Sequence, residues 1–326
     1  MHFSSAYERH VYSGFEPSQA FDVVHGGHFE HRLLSAGQAH MEHQRLLLGD
    51  IRLETGTYDF PVVARGAMPQ GVICVGLMAD GAELTRYNTA SIGIDEVQIY
   101  PPGVDLLYHA AGASRWINFV LPQAQLQQMA VAGLGRPLRL PQGHAISVRL
   151  RPGLRGALVQ LADDAFALGR ALEPYGIDAD LAAGVAREVV AGYVEALCGA
   201  EAHARGAGEA AASRHLQIIL ACERLALSAA EAAEAGLADI ALRSGYSRRA
   251  LELIFKRGVG MPPGRWFMNV RLNGALRDLL TPRPGCRVAD VAEKWGFRHL
   301  PRFAGHYRRA FGELPSLTLR RALLRG

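Results

Sequence analysis

Apolar residues along this chain change their period near Pro122. From about Gln44 to Leu121 they fall in short runs broken by Gly, Pro and Asn, namely Arg45 to Leu53, Val72 to Met78, Ser91 to Tyr100 and Trp116 to Val120. Such runs predict strands, and several in succession predict a small antiparallel barrel or sandwich. After Pro122 the period lengthens. Residues 152–174 and 178–203 are rich in Ala and Leu at helical spacing, with Leu154, Leu158, Leu161, Ala165 and Leu168 in series. Residues 199–213 predict an interdomain linker, because their glycines, alanines and charges leave little to bury.

Beyond the linker the helical pattern occurs twice. The first copy runs Leu237-Ala238-Asp239-Ile240-Ala241, then Gly245-Tyr246-Ser247, then Phe255-Lys256-Arg257, Gly260 and Pro263. The second runs Val288-Ala289-Asp290-Val291-Ala292, then Gly296-Phe297, then Tyr307-Arg308-Arg309, Gly312 and Pro315. The offset is 51 residues up to the glycines and 52 beyond, so the second copy has gained one residue. An internal repeat is two units of one supersecondary type.

Each unit reads as a helix-turn-helix, at about 237–258 and about 288–310. Leu237, Ile240 and Ala241 share one face of a short helix, and small Ala241 lets a second helix cross closely. Gly245 suits the turn, Tyr246 is expected to tuck its ring beneath it, and Ser247 is a good N-cap. Leu251 and Phe255 face inward, leaving Arg248, Arg249, Glu252 and Lys256 outside. Pro263 to Leu280 reads as one helix between the copies, stopped by Thr281-Pro282-Arg283-Pro284-Gly285, and Leu216 to Leu227 as a helix capping the first unit.

Gly245-Tyr246-Ser247, Phe255-Lys256-Arg257 and the closing Phe311-Gly312-Glu313-Leu314-Pro315 resemble the DNA-binding region of the AraC/XylS family of bacterial transcription regulators. The resemblance covers roughly Leu216 to Arg321. It implies an α+β multidomain chain with a β-rich, cupin-like barrel and packed helices first, and an all-α double helix-turn-helix last. The expected boundaries are 1–198 for a sensor and dimerisation domain, 199–213 for the linker and 214–326 for the DNA-binding domain. The resemblance also implies that each unit lays its second helix in a major groove, with the linking helix holding the two about one DNA turn apart. The partners implied are double-stranded DNA, a second copy of the chain, RNA polymerase and a small-molecule effector bound in the N-terminal domain.

Charge is divided in the same way. From Leu216 onward there are 19 Lys and Arg against 9 Asp and Glu, a net of +10, whereas residues 1–215 hold 16 against 22, a net of −6. A basic module joined to an acidic one fits nucleic-acid binding by the first alone. Ser247, Arg248 and Arg249 open the first recognition helix, where residues usually reach base edges. Glu252 is placed to accept from a cytosine or to pair with Arg248 or Arg249. Lys256, Arg257, Arg308 and Arg309 lie toward helix ends, suited to phosphate. The second unit departs from the family pattern: Arg298 stands where a capping serine is usual, Pro301 lies in the first turn, and Ala304 and Gly305 occupy groove-facing places. Arg298, His299, Arg302 and His306 are its candidate contacts, and the first unit is expected to supply more of the base discrimination.

The four cysteines, Cys74, Cys198, Cys222 and Cys286, have no paired spacing, which suggests free thiols in a reducing cytoplasm, with Cys74 considered as a redox sensor. The N-terminus lacks a signal-peptide core and no apolar run reaches membrane-spanning length. His25, His28, His31, His40 and His43 are spaced by three for the most part, which on a strand sets successive rings on opposite faces and serves chelation poorly. They are expected on the surface or in loops. No metal, cofactor or catalytic residue is assigned. Two alternatives remain open: an N-terminal half that binds a protein or only dimerises, and a cupin-type metal enzyme fused to a DNA-binding tail.

Overall fold

The computed structural model describes residues 6–35, 39–202, 207–231 and 237–324. Its strands are β1 (Ala6–Ser13), β2 (Phe29–Leu33), β3 (His40–Leu48), β4 (Ile51–Tyr58), β5 (Val62–Ala67), β6 (Val72–Asp80), β7 (Thr85–Tyr87), β8 (Ala90–Ser91), β9 (Glu96–Tyr100), β10 (Asp105–Ala110), β11 (Ser114–Pro122), β12 (Ile146–Arg149) and β13 (Glu201–Ala202). The helices are α1 (Gln123–Leu134), α2 (Leu154–Leu172), α3 (Ala179–Cys198), α4 (Ala207–Glu231), α5 (Leu237–Ser244), α6 (Arg248–Val259), α7 (Pro263–Leu280), α8 (Val288–Lys294), α9 (Leu300–Phe311) and α10 (Pro315–Leu323).

The strands form two sheets, in the orders β1-β3-β4-β11-β6-β9-β12-β13 and β2-β5-β10-β7-β8. Side chains alternate across each, so one sheet serves two cores. On the first sheet Ile73, Val75, Leu77, Ile117 and Phe119 face α1–α3, where Phe119 stacks on Tyr193 at 4.2 Å. Their neighbours Cys74, Met78, Trp116 and Val120 face the second sheet and meet Phe29, Val62, Ala64, Leu106 and Tyr108 there. The far face of the second sheet is covered in turn. Val63 and Leu107 pack with Leu216, Ile219 and Leu220 of α4, Phe255 of α6 and Trp266 of α7. The molecule is thus four layers: helices, sheet, sheet, helices.

Several expectations change in detail. The run Arg45 to Leu53 is two strands, because Gly49 takes a left-handed φ of 64° and folds β3 back on β4 with Leu48 opposite Ile51. Strands β2, β5 and β10 escape the simple alternation because the second sheet is covered on both faces, so polar positions such as Arg32 and His109 sit among apolar ones. The stretch expected as linker, 199–213, is helical from Ala207 onward, so α4 starts well before Leu216. Two of the histidines expected at the surface are buried, His31 on β2 and His43 on β3. Burial pushes their pKa values down to about 4 and about 3. His31 Nε2 lies 3.1 Å from the Tyr58 hydroxyl. Cys74 is also buried inside the barrel, and burial pushes its thiol pKa up, which suits packing rather than redox sensing.

A chain of alternating charges fastens the two halves together. Glu223 of α4, fully buried, pairs with Arg32 and, at 3.2 Å, with Arg65. Arg32 also pairs with Glu30 at 2.8 Å, and Glu30 with Arg277 of α7 at 2.6 Å. Burial raises the Glu30 pKa, but Arg32 and Arg277 outweigh it and hold the carboxyl at about 2. Asn273 of α7 accepts from the Leu33 amide at 2.8 Å and donates to the Leu33 carbonyl at 3.0 Å, which closes an edge of β2.

Candidate DNA-binding surface

The repeat folds as two helix-turn-helix units, α5–α6 and α8–α9. In the first, Ile240 and Ala241 meet Leu251, Ile254 and Phe255, while the side chain of Leu237 lies outside the described residues. Gly245 has φ of 73°, which a β-carbon would strain. Ser247 caps α6 by accepting from the Ala250 amide at 3.1 Å. Tyr246, expected under the turn, is instead 41% exposed and lines an open groove beside Ile218, Cys222 and Leu225 of α4.

The second unit is built on rings. Phe303 contacts Phe297 at 4.8 Å and Tyr307 at 5.7 Å, and Tyr307 contacts Phe311 at 4.7 Å. Its recognition helix α9 starts at Leu300-Pro301 behind His299, with no side-chain cap. Gly305 is not required by packing: a β-carbon there would meet only the Arg309 guanidinium, at 3.9 Å.

Helix α7 holds the units apart. It has 18 residues, so it spans about 27 Å at 1.5 Å per residue. Trp266, Val270, Leu276 and Leu279 are buried as expected, and Leu272, Asn273, Gly274 and Ala275 are buried as well. The helix is enclosed all round because the first unit, the second unit and β2 share it. Gly274 admits the Trp295 ring, whose Nε1 donates to Asp278 at 2.7 Å.

The named candidates fall on two outward faces. Ser247, Arg248, Arg249, Glu252, Lys256 and Arg257 are all exposed on or beside α6. Arg248 pairs with Glu252 at 3.2 Å, so Glu252 is engaged and Arg249 stands without a partner among the described residues. Arg298, His299, Arg302, Arg308 and Arg309 are exposed around α9, and His306 is half-buried with its Nδ1 2.8 Å from Arg309. Burial, then Arg309 and Arg302, lowers the His306 pKa, so it presents a neutral ring near pH 7. One residue was missed. Leu253 is 47% exposed on α6, one turn beyond Arg249, where an apolar side chain can meet a thymine methyl group. The signal was available: Leu251, Ile254 and Phe255 already complete the inward stripe.

Among the described residues no three His, Cys, Asp or Glu side chains lie close enough to share a metal ion, and no helix is long and apolar enough to cross a membrane. Inside the barrel, the space beside His31, Tyr58, Tyr108, Trp116 and Asn118 measures about 20 Å³, scarcely more than one water molecule.

Comparison with known proteins agrees with the repeat. Residues 240–321 match the family model described as a helix-turn-helix domain. The "Probable thc operon regulatory protein" of Rhodococcus erythropolis is 39% identical over 85 residues, 26% of each chain. The "XylDLEGF operon transcriptional activator" of Pseudomonas putida is 40% identical over 85 residues, again 26% of each. The match therefore spans about a quarter of the length of these curated relatives. A solved DNA-binding domain of AdpA in complex with a target DNA is 27% identical, covering 33% of this chain and 94% of that one, with a TM-score of 0.30.

Proposed function

This chain carries a C-terminal double helix-turn-helix of the AraC/XylS type, and on that premise we propose that it is a sequence-specific transcription regulator acting on double-stranded DNA in the cytoplasm. The observation that carries the reading is the pair of exposed, arginine-lined helices α6 and α9 packed along α7, an 18-residue helix about 27 Å long. DNA repeats its major groove every 34–36 Å or so along the axis, and a strut of that length suits helices entering successive turns. Arg249 and Leu253 face base edges in this reading, with Glu252 held by Arg248. Lys256, Arg257, Arg308 and Arg309 hold phosphates, and Arg302 with neutral His306 gives the second unit a narrower repertoire. No catalytic step is assigned to any residue.

The N-terminal half is the regulatory partner in this proposal: it dimerises through its α1–α3 layer, answers to a small effector and passes the response to RNA polymerase through the DNA-bound module. The continuous charge chain from β2 and β5 to α4 and α7 gives a bound effector a direct mechanical route to both units. One observation favours a second reading. The filled barrel interior suits an N-terminal half that binds a protein or only dimerises.

The DNA assignment is tested by two variants. Arg249→Ala is expected to weaken a preferred site by roughly 1–3 kcal/mol and relax its base preference. Arg308→Ala is expected to weaken all sequences about equally and lower the salt slope by about one. Identical behaviour of the two would refute the division into base and phosphate contacts.

A further inference from the structure

Beside the filled barrel lies an open cleft of about 710 Å³. It opens where the two sheets part, with the β7–β8 hairpin on one side and β9 and β12 on the other. The first turns of α4 roof it, and Thr89 Oγ1 of the hairpin donates to the Ala212 carbonyl at 2.8 Å.

The floor of this cleft is unusual for its polarity. Gln98 of β9 is 3% exposed, and neither Oε1 nor Nε2 has a hydrogen-bond partner among the described residues. Tyr100, two residues on and so on the same face of the strand, is 1% exposed and its hydroxyl also lacks a partner among the described residues. Ser147 stands opposite Gln98 in the β9–β12 register. Buried polar groups are rarely left unmatched, and an unmatched set at the base of a small-molecule-sized cavity is the usual mark of a ligand site. Tyr87, Val104, Ala145 and Leu216 supply the apolar walls.

The chemistry of the floor selects the ligand. A carboxamide side chain offers one acceptor beside one donor, and its reciprocal match is another amide edge. A charged ligand finds little compensation at that depth: among the described residues lining the cleft, Arg214 and Asp105 are exposed and of opposite sign, and His144 sits half-buried on the loop before β12.

We propose that this cleft binds a small, uncharged molecule carrying a carboxamide or lactam edge, with Gln98 pairing to that edge and Tyr100 adding a third hydrogen bond. The proposal rests on the reading of the chain as an effector-controlled regulator and names the effector's place and class. It puts the ligand against the first turns of α4, the helix that carries Glu223 into its pairing with Arg32 of β2 and Arg65 of β5.

The test is titration of the full chain with benzamide and δ-valerolactam, with benzoate as the charged control, followed by calorimetry or ligand-observed NMR. Saturable millimolar binding of either amide is expected, with benzoate at least tenfold weaker. Gln98→Leu is expected to weaken the amides at least tenfold, and Ser147→Phe, which fills the cleft from the neighbouring strand, to do the same. Absence of saturable binding by both amides, benzoate binding as tightly, or unchanged binding in both variants overturns the proposal. DNA binding is measured on the same preparations. A chain that binds DNA but neither amide overturns the cleft assignment alone, whereas a chain that binds the amides but not DNA removes the regulator reading beneath it.

Discussion

Replacing Glu223 by Gln isolates the joint between the two halves, because it keeps the side chain's shape and removes one charge. Glu223 is fully buried between Arg32, itself 2% exposed, and Arg65, 29% exposed. Removing one partner of a buried ion pair typically destabilises by about 3–5 kcal/mol, since the other charge stays buried without compensation. Arg32 keeps Glu30, and Arg65 reaches water, so the lower end applies: we expect about 3 kcal/mol. Urea unfolding followed by tryptophan fluorescence reports the joint directly, because the Arg32 guanidinium lies 5.9 Å from the centre of the Trp266 ring. The double variant Arg32→Met with Glu223→Leu replaces charge by apolar volume and is expected to recover at least half of the loss. A loss below about 1 kcal/mol for Glu223→Gln, set against that 3–5 kcal/mol range, or a double variant as unstable as the sum of its single changes, would refute the charge chain as the fastening between halves.

Two further outcomes are specific. Gly274→Ala ought to gain about 1 kcal/mol of helix propensity, yet its β-carbon would lie 2.1 Å from the Trp295 ring, which Asp278 holds in place. Overpacking of this kind costs typically 1–3 kcal/mol, so a lower melting temperature is expected, and an unchanged or higher one contradicts the packing described. Acid should destabilise the barrel through His31 and His43. Both are buried and have folded pKa values, about 4 and about 3, below the ordinary value of about 6.5. Their neutral forms favour the fold above pH 6.5, and that contribution is lost as pH falls from 6.5 toward 4, because the unfolded chain binds the protons first. Each ring contributes about 1.4 kcal/mol per pH unit in that window, so His43→Phe should flatten the pH dependence of urea midpoints between pH 6.5 and 4.5. An unaltered slope would contradict burial of the ring.

The repeat is legible because each helix-turn-helix unit is local: Gly245, Ser247, Gly260 and Pro263 act within one or two turns of where they stand, and all but Ser247 have counterparts 51 or 52 residues on. Helix α7 was legible for the same reason, with Pro263 and the Thr281-Pro282 stop at its ends. The second sheet was harder to read. Arg32, Arg65 and His109 are polar residues on a face that becomes buried only when α4, α6 and α7 settle on it, so their neighbourhood depends on residues some 200 positions away. A histidine spacing of three suits no chelating strand and points to the surface or to loops, whereas the alternation of β2 and β3 buries His31 and His43 for packing reasons. Leu253 was passed over because a leucine between Leu251 and Phe255 reads as core until the inward stripe is counted as full. The latter part of the expected linker, 207–213, is helix because alanine, the strongest helix former, is abundant there.

The central claim is that α6 and α9 read one duplex together. Binding sites selected from random DNA, followed by methylation protection of guanine N7 in the bound complex, test it most directly. Two clusters of major-groove protection on one face of the duplex, about 10 base pairs apart, are predicted, with the Arg249→Ala variant losing one and Arg302→Ala weakening the other. A single protected cluster that neither substitution alters would contradict it.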